Sequence, residues 1–455
     1  MSDVLKLIGN TPLVEITRFD TGKCRLFVKL ESQNPGGSIK DRIAVSMIDA
    51  AVKDGSLKPG GTIVEATAGN TGLGLALVAA LRGYKIILVV PDKMSREKVI
   101  HCKALGADVR MARSDVSKGH EEYYQEVAAR IARETGGFYV NQFSNPANAE
   151  AHEMTTAPEI WEQMGHDVDA VVCGVGSGGT LTGIGNFFKK ASPKTEMILA
   201  DPVGSILEPL VNRGEDVKAG SWAVEGIGED FVPDVLDLSL TKKAYAISDE
   251  ESIAAARDLL LKEGILAGSS TGTLFAAALR YCREQTKPKR VVTLVCDRGD
   301  KYLSKTFSNF WRTEQGFTRR VKTNTVEDLV MRRHDQNDTV TVRPADTVLT
   351  AYKRMRMADV SQLPVIDDAG QFVGLVDEAA LLVYMTQKFA QLDMQVENIM
   401  HPPAAKLSRD ASIEEAAKFL KGHHLVIITE EDGRMLGLVT RVDLLNYYVL
   451  KAQGK

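Results

Sequence analysis

The chain has 455 residues, a length that suggests about two to four domains, each with its own core. Its formal net charge is only -4, which gives no reason to expect nucleic-acid or membrane binding. The most apolar run, residues 86–90, has the length of a strand and falls far short of the roughly 20 apolar residues that span a bilayer. The five cysteines are widely spaced and form no C-x-x-C pair, so we expect reduced thiols in a cytoplasmic protein and no metal site.

In chain order, the first part of the sequence alternates short β-branched runs with helical stretches. Apolar runs at residues 86–90, 168–173 and 291–296 predict strands, and residues 95–105 predict a helix. This alternation predicts an α/β fold with a largely parallel sheet that is buried on both faces.

One further helix is predicted from its end signals. Ser248 and Glu251 have the spacing of a capping box, which opens a helix over residues 252–262. Gly264 then stands where a helix C-cap belongs.

Four glycine-bearing motifs interrupt this alternation, and the first is NPGGSIKDR at residues 34–42. Its two glycines permit a tight turn, and Ser38 can cap a helix. Lys40 then falls in the first helical turn, where a lysine can approach an aldehyde and be tuned by its surroundings. For this motif taken by itself, a plain turn with a solvated lysine is the alternative.

The other three motifs each open a helix with small residues. They are EATAGNTG at residues 65–72, GVGSGGT at residues 174–180 and GILAGSSTG at residues 264–272. Loops of this kind present backbone N–H groups to an anion. The motif at 174–180 follows a predicted strand and has the spacing of neither a Walker A loop nor G-x-G-x-x-G, which favours a monophosphate over a dinucleotide. The alternatives are capping loops and a structural glycine turn.

Beyond Phe317 the pattern changes. Residues 318–325 are polar and basic, and we interpret them as part of a linker, with a short helix after Thr325. The remainder is an internal repeat: LPVID (363–367) and GLVD (374–377) recur as LVIIT (425–429) and GLVT (437–440), about 63 residues later. Helices are predicted at 348–357, 379–385, 413–420 and 442–448. Two βαββα-like copies that are each too small to be stable alone should pack on each other.

The four motifs, in this order, carry a family resemblance. S-x-K-D-R, T-x-G-N-T-G, G-x-G-G-T and G-x-x-x-G-x-S-x-G together resemble the fold type II pyridoxal-phosphate family, which includes cysteine synthases, cystathionine β-synthases and threonine dehydratases. The resemblance runs from residue 4 to about 312 and includes LIGNTP (7–12) and PDKMSREK (91–98). It implies two α/β subdomains with mostly parallel twisted sheets, and pyridoxal 5'-phosphate as the cofactor.

The resemblance also implies roles for individual residues. Lys40 would hold the cofactor as a Schiff base and later move the substrate α-proton, and Asn70 would hydrogen-bond the 3'-oxygen of the ring. Ser270 would face the pyridine nitrogen, where a neutral hydroxyl leaves the cofactor a weaker electron sink and favours β-elimination and β-replacement. The phosphate would be bound by Gly176, Ser177, Gly178, Gly179 and Thr180. The substrate carboxylate would be held by Thr67, Ala68, Gly69 and Thr71, with help from Gln142.

Residues 224–228, VEGIG, resemble the cystathionine β-synthases within this family. Cysteine synthases usually carry an uncharged residue where Glu225 stands, so Glu225 and Gly226 are implied to engage the amino group of a second substrate, homocysteine. A surface-loop acid is the alternative for Glu225. Two departures from the family are Glu229, where animal members commonly have tyrosine, and Ala68, which replaces a common serine.

The implied activity is β-replacement, in which the thiol of L-homocysteine takes the place of the L-serine hydroxyl to give L-cystathionine and water. Hydrogen sulfide would be released instead of water when cysteine is the first substrate. An O-acetylserine sulfhydrylase with a fused sensor is the rival enzyme, and a non-catalytic regulatory protein is the rival from another class. The motifs begin within ten residues of Met1, which leaves no room for the haem-binding extension of animal members, so we expect no haem.

The implied domains are a catalytic domain at 1–317, a linker at 318–333 and two repeats, at 334–391 and 392–455. The repeats resemble a tandem CBS-domain (Bateman) module. In such modules the T-x-x-D pattern binds an adenosyl ribose, so Asp443 would take the ribose hydroxyls and Thr440 would lie near the phosphate. The first repeat reads DEAA at 377–380, which implies at most one adenosyl site, for S-adenosylmethionine, AMP or ATP.

A module that serves only oligomerisation is the alternative for this repeat pair. The family resemblance further implies a homodimer through the catalytic domains, or a homotetramer.

Overall fold

A computed structural model describes residues 3–67, 69–92, 94–317, 323–388, 390–402 and 405–452. The chain divides between Phe307 and Ser308 into two compact units. The domain limits expected at residues 317, 333 and 391 stay predictions.

The first unit contains short strands and longer helices in alternation. Its strands are Leu13–Glu15 (β1), Arg25–Lys29 (β2), Thr62–Ala66 (β3), Lys85–Pro91 (β4), Asp108–Ala112 (β5), Phe138–Tyr139 (β6), Ala170–Gly174 (β7), Glu196–Pro202 (β8), Thr241–Ile247 (β9) and Arg290–Leu294 (β10). Its α-helices are Lys40–Asp54 (α1), Asn70–Arg82 (α2), Arg96–Ala104 (α3), Tyr124–Thr135 (α4), Pro146–Ala151 (α5), Ala157–Gln163 (α6), Gly179–Ala191 (α7), Leu207–Arg213 (α8), Asp249–Glu263 (α9) and Ser269–Arg283 (α10). A π-helical turn, His152–Thr156, joins α5 to α6.

Two sheets form the first unit. The larger has the strand order β1-β2-β10-β7-β8-β9 and is parallel except for the antiparallel β1. The smaller, β5-β4-β3-β6, is entirely parallel. The inner strands β4 and β7 are buried along nearly their whole length, which is why each appears as a continuous apolar run in the sequence. The α/β prediction and the strands predicted at 86–90, 168–173 and 291–296 are confirmed.

The predicted helix ends are confirmed in part. Ser248 Oγ accepts a hydrogen bond from the Glu251 N–H at 3.2 Å, and Gly264 ends α9 with a positive φ of 73°. The helix begins at Asp249, three residues before the predicted start, because the acidic first turn carries no apolar period. The carboxylate of Glu251 accepts from Arg280 at 2.8 Å instead of completing the capping box.

The second unit contains both copies of the repeat. Its helices are Asn309–Glu314 (α11), Val348–Ala358 (α12), Glu378–Met385 (α13), Ile413–Gly422 (α14) and Arg441–Ala452 (α15). Its strands are Arg332–Arg333 (β11), Gln362–Ile366 (β12), Phe372–Asp377 (β13), Lys406–Ser408 (β14), Leu425–Thr429 (β15) and Met435–Thr440 (β16). The short helix expected after Thr325 is present as a 3-10 turn, Val326–Leu329, which Thr325 caps.

The two copies pack on each other as predicted. Each hairpin, β12–β13 and β15–β16, sends apolar side chains into one shared cluster. The cluster consists of Ile366, Phe372 and Leu375 from the first copy and Leu425, Ile427 and Met435 from the second. No helix in the described ranges has both the length and the apolar character that a bilayer crossing needs.

Candidate active site

The predicted motifs meet at a single cavity of about 510 Å³ in the first unit. The predicted residues that line it are Lys40, Thr67, Gly69, Asn70, Thr71, Gln142, Gly176, Ser177, Gly178, Thr180, Glu225, Gly226 and Ser270. Gly179 does not line the cavity but is the first residue of α7. Ala68 lies outside the described residues. The first three motifs follow β2, β3 and β7, so they lie at the carboxyl ends of parallel strands. The fourth lies between α9 and α10, and α10 begins at the same cavity.

Lys40 is the first residue of α1 and faces this cavity. Its backbone N–H donates to Ser38 Oγ at 3.2 Å. The predicted cap by Ser38 is nevertheless wrong by one residue, because Ile39 occupies the N-cap position and its side chain makes no cap hydrogen bond. Burial lowers the pKa of the Lys40 amine, and the nearby carboxylate of Glu229 opposes this effect. A lysine with a lowered pKa has more of its amine neutral, which is the form that attacks an aldehyde.

The glycine-rich loop between β7 and α7 forms an anion cradle. A Cβ atom at Gly176 would lie 2.5 Å from the Gly226 carbonyl oxygen, and one at Gly179 would lie 2.0 Å from Asn148 Oδ1. Gly178 has a φ of 89°, in the left-handed region that favours glycine. The loop therefore accepts only glycine at these points, and it leads into a helix N-terminus, where backbone N–H groups attract negative charge.

Two hydroxyls complete the cradle, and each is oriented by a buried neighbour. Ser177 Oγ accepts from Asn148 Nδ2 at 2.9 Å. Thr180 Oγ1 lies 3.2 Å from His152 Nε2, whose ring is fully buried. Burial lowers the pKa of His152 well below its usual value, so the ring is neutral and adds no charge beneath the cradle.

Ser270 lies in the first turn of α10 and is 4% exposed. Its hydroxyl interacts with the Cys296 thiol, and burial raises the pKa of that thiol to about 12. Both groups are therefore neutral at this wall of the cavity. A lysine amine, a phosphate-sized cradle and a neutral polar wall within one cavity fit an aldehyde cofactor that carries a phosphate and a heterocyclic ring.

The loop before α2 is held rigid by its own side chains. Thr67 Oγ1 accepts from the N–H groups of Gly69 at 3.0 Å and Gly72 at 3.2 Å. Thr71 Oγ1 donates to Gln142 Oε1 at 2.7 Å, and Gln142 Nε2 donates to a carbonyl of β3 at 3.2 Å. These bonds fix a turn of small residues at a helix start, an arrangement suited to binding a carboxylate.

Glu65 lies in β3 directly beneath this loop and is fully buried. Its Oε1 accepts from the Gln142 N–H at 3.4 Å, and Oε2 makes no hydrogen bond to any described residue. Burial raises the pKa of Glu65 to about 8, so the side chain carries a proton at neutral pH.

Glu225 is 5% exposed, which is incompatible with a surface-loop acid. Its Oε2 accepts from Lys98 Nζ at 2.8 Å and its Oε1 from Lys305 Nζ at 2.7 Å. The two ammonium groups hold the pKa of Glu225 below its usual value despite burial. The sequence indicated Glu225 but not its two partners. The only signal for Lys98 was its place in the segment PDKMSREK, and Lys305 carried none.

The geometry agrees with the comparison to known families. The family model described as "Pyridoxal-phosphate dependent enzyme" matches residues 4–297. The chain belongs to this pyridoxal-phosphate-dependent enzyme family. The model of the CBS domain matches residues 326–386 and 396–450 of the same chain.

Relatives of the whole chain place it in one branch of the family. It is 37% identical to "Cystathionine beta-synthase" of Apis mellifera, covering 98% of this chain and 90% of the relative. The relative of the same name from Dictyostelium discoideum is 34% identical, covering 100% of this chain and 93% of the relative. The Saccharomyces cerevisiae relative is 33% identical, with coverages of 98% and 97%. The chain is thus a pyridoxal-phosphate-dependent enzyme of the cystathionine beta-synthase type.

Solved structures of other family members match the catalytic part. A hydrogen sulfide-producing enzyme from Fusobacterium nucleatum is 37% identical with a TM-score of 0.63, covering 67% of this chain and all of its own. O-ureido-L-serine synthase is 36% identical with a TM-score of 0.62, covering 67% of this chain and 94% of its own. Several reactions therefore share this fold, so the substrates must be argued from the site.

In the CBS-domain unit, the predicted effector residues face each other at the start of α15. Asp443 Oδ2 accepts from the Thr440 N–H at 2.7 Å and from Thr440 Oγ1 at 2.6 Å. At the corresponding place of the first copy, Asp377 accepts from the Ala380 N–H at 2.7 Å and lies 3.1 Å from His401 Nε2. The two copies thus carry their acid at different positions of the same turn.

Proposed function

We propose that this pyridoxal-phosphate enzyme catalyses a β-replacement that joins L-serine and L-homocysteine into L-cystathionine, a transsulfuration step toward cysteine. The observation that carries the proposal is a charged wall of the cavity, formed by Glu225 and Lys98, in which Lys305 holds Glu225 from behind the lining residues. A wall with both signs of charge suits a second substrate that is itself an amino acid. The relatives that match the whole chain bear the name of this activity.

The cofactor site would be formed by residues of all four motifs. When bound, pyridoxal 5'-phosphate supplies an electron sink for negative charge at the substrate α-carbon. Lys40 would hold the cofactor, Asn70 and Ser270 would contact the two polar edges of its ring, and the loop at 176–180 would bind its phosphate. The neutral wall at Ser270 would offer the ring nitrogen no carboxylate to stabilise its protonated form, which would favour β-replacement over other carbanion chemistry.

Lys40 would also serve as the base of the reaction. Its Nζ would take the proton from the substrate α-carbon, because burial lowers the pKa of the amine and leaves more of it neutral and able to accept a proton. The substrate carboxylate would meanwhile be fixed by Thr67, Gly69 and Thr71, together with Ala68, while Gln142 orients Thr71 through their 2.7 Å hydrogen bond. Fixing the carboxylate aligns the α-proton with Lys40 Nζ.

The second substrate would be selected by the charged wall. The carboxylate of Glu225 would receive the amino group of homocysteine, and Gly226 leaves space at the same place. Lys98 and Lys305 keep Glu225 ionised. Lys98, which lines the cavity, would offer positive charge for the substrate carboxylate. Sulfide has neither group, so the wall argues against an O-acetylserine sulfhydrylase, which remains the second candidate. Cysteine in place of serine would release hydrogen sulfide, as a side activity.

A steady-state comparison tests this assignment. One arm supplies serine and homocysteine and follows cystathionine, and the other supplies O-acetylserine and sulfide and follows cysteine. We expect kcat/KM of the first arm to dominate, and Glu225→Gln to raise KM for homocysteine while leaving KM for serine unchanged. Dominance of the second arm would assign a cysteine synthase with a fused sensor to the same fold and cofactor.

For the rest of the chain we propose that the CBS-domain pair binds one adenosyl effector, S-adenosylmethionine, AMP or ATP, through Asp443 and Thr440. We also propose a homodimer or homotetramer and a reducing, cytoplasmic location, in keeping with five free thiols. The expectation that the enzyme uses no haem is tested by the absorbance spectrum of the purified protein, in which a Soret band would overturn it.

A further inference from the structure

Asn70 is held at both ends of its amide group by charged side chains. Its Nδ2 donates to Asp297 Oδ2 at 2.7 Å, and its Oδ1 accepts from Lys301 Nζ at 3.0 Å. Asp297 is fully buried and Lys301 is 5% exposed. Neither Asp297 nor Lys301 is among the residues that line the cavity, whereas Asn70 is.

These two charges determine which end of the amide is nitrogen. The reverse orientation would place the amide oxygen against a carboxylate and the amide hydrogens against an ammonium group, and both contacts would be repulsive. Because both charged groups are buried, water screens them little and the preference is strong. Nδ2 carries two hydrogens, and the Asp297 carboxylate takes one. The second faces two acceptors, namely the Tyr302 hydroxyl, which also interacts with this amide, and a group in the cavity that Asn70 lines.

Asp297 is itself held firmly. Its Oδ2 also accepts from the Tyr302 hydroxyl at 2.6 Å. Its Oδ1 makes no hydrogen bond to any described residue and lies where a Cβ at Gly268 would approach within 2.0 Å. Gly268, in the fourth motif, is thus required for the Asp297 carboxylate to reach Asn70.

Lys301 is anchored just as firmly, to the first motif. Its Nζ donates to the carbonyl oxygens of Gly36 at 3.1 Å and Gly37 at 3.0 Å. The turn that precedes Lys40 and the amide of Asn70 therefore share one ammonium group. Through Asp297 and Lys301, the first, second and fourth motifs are therefore connected behind the residues that line the cavity.

We propose that Asp297 and Lys301 are positioning residues that lock the Asn70 amide with its nitrogen toward the cofactor. The inference rests on the proposed function, in which Asn70 donates to the 3'-oxygen of pyridoxal 5'-phosphate. A donor fixed at this point favours the ionised 3'-oxygen over the protonated one. The charge state of this oxygen decides whether the loaded enzyme absorbs in the visible or in the near ultraviolet. The clamp formed by Asp297 and Lys301 on Asn70 should therefore affect the absorbance spectrum.

The test uses the full chain and two independent neutral substitutions, Asp297→Asn and Lys301→Gln. Each protein is titrated with pyridoxal 5'-phosphate, and the dissociation constant and absorbance spectrum are recorded. Either substitution should move intensity from the visible band toward the near ultraviolet and raise the cofactor Kd about tenfold, the effect of one weakened hydrogen bond to a charged group. Asn70→Ala should shift the absorbance and raise the cofactor Kd to at least the same extent. Asp108→Asn, the same chemical change at an exposed position of β5 that pairs with Arg110, should change neither the spectrum nor the Kd.

Two outcomes are adverse and distinguishable. A wild-type protein that gains no visible band with the cofactor overturns the proposed function, and the clamp with it. If the wild type and Asn70→Ala behave as expected but Asp297→Asn and Lys301→Gln keep the wild-type spectrum and Kd, the clamp is wrong and the proposed function stands. Thermal unfolding of each protein without cofactor identifies a variant that has lost its fold. If Asp297→Asn or Lys301→Gln is unfolded, the spectrum and Kd of the folded one of the two test the proposal.

Discussion

Glu225 and Lys98 form an ion pair at 2.8 Å in which the side chains are only 5% and 1% exposed. A pair this deeply buried is strongly destabilising when broken, because the remaining charge has no water to solvate it. A second ammonium group, from Lys305, contacts the other carboxylate oxygen of Glu225 at 2.7 Å. Stability and substrate choice thus depend on the same three side chains.

Glu225→Gln should lower the free energy of unfolding by about 3 kcal/mol at pH 7. Because the pKa of Glu225 is lowered in the folded state, its contribution is complete above its ordinary value of 4.5 and is lost as the pH falls below it. The difference in the free energy of unfolding between the variant and the wild type should therefore be smaller at pH 4 than at pH 7, as measured by urea unfolding. Glu134→Gln, at an exposed position of α4, should change little at either pH. An equal loss at both pH values would speak against the ion pair as its cause.

Glu65→Gln should have the opposite pH dependence. The pKa of Glu65 is raised to about 8, so the folded protein keeps a proton that the unfolded chain releases above about pH 4.5. Wild-type stability should fall as the pH rises from there to about 8, with a slope approaching 1.4 kcal/mol per pH unit, and then level off. The neutral variant lacks this dependence, so its relative stability should improve across that window in urea unfolding at pH 5.5 and pH 8. Parallel curves for the two proteins would show that Glu65 is ionised at neutral pH.

Gly179→Ala should weaken cofactor binding without a change at the lysine. The added Cβ would meet Asn148 Oδ1 at 2.0 Å and displace the side chain that orients Ser177. We expect the Kd for pyridoxal 5'-phosphate to rise about tenfold or more, the size of one lost hydrogen bond to a phosphate. Gly422→Ala, where a Cβ meets open space, is the matched control. An unchanged Kd in a titration followed by absorbance would mean that the loop accommodates a methyl group by moving.

Asp443→Asn should abolish most adenosyl binding. A carboxylate that accepts two ribose hydroxyls contributes through charge-assisted hydrogen bonds, so we expect at least about a tenfold rise in Kd. Calorimetric titration of the wild type with S-adenosylmethionine, AMP and ATP in turn should show no more than one site per chain. Asp377→Asn, which changes the acid of the first copy, should leave the affinity unchanged. Two equivalent sites, or a loss caused by Asp377→Asn alone, would contradict this assignment.

The architecture and the position of the cavity could be predicted because they are encoded locally. β4, β7 and β10 are apolar runs, and α1, α2, α7 and α10 begin at the glycine-bearing motifs. Each signal lies within about ten residues, the range over which periodicity and capping operate. The start of α9 was predicted at residue 252 instead of Asp249, because the acidic first turn of the helix has a capping signal but no apolar residues at helical spacing.

The charged partners could not be predicted, because they meet only in the folded chain. Lys98 and Lys305 lie 127 and 80 residues from Glu225, and Asp297 lies 227 residues from Asn70. Lysine and aspartate are common surface residues, so nothing in their neighbours marks them as buried. Gly69 packs against Lys98 and Gly268 against Asp297, and these contacts are visible only in the tertiary structure.

The apolar cluster shared by the two CBS copies limits how this chain can be shortened. A deletion that ends the chain after the first copy would strip Leu425, Ile427 and Met435 from their partners Ile366, Phe372 and Leu375 and leave a bare apolar face. Such a fragment would aggregate, whereas a chain that ends before Ser308 loses both halves of the cluster together. The two copies can therefore be removed together but not one at a time. A mutation that truncates the chain between them should act through misfolding of the product rather than through loss of a ligand.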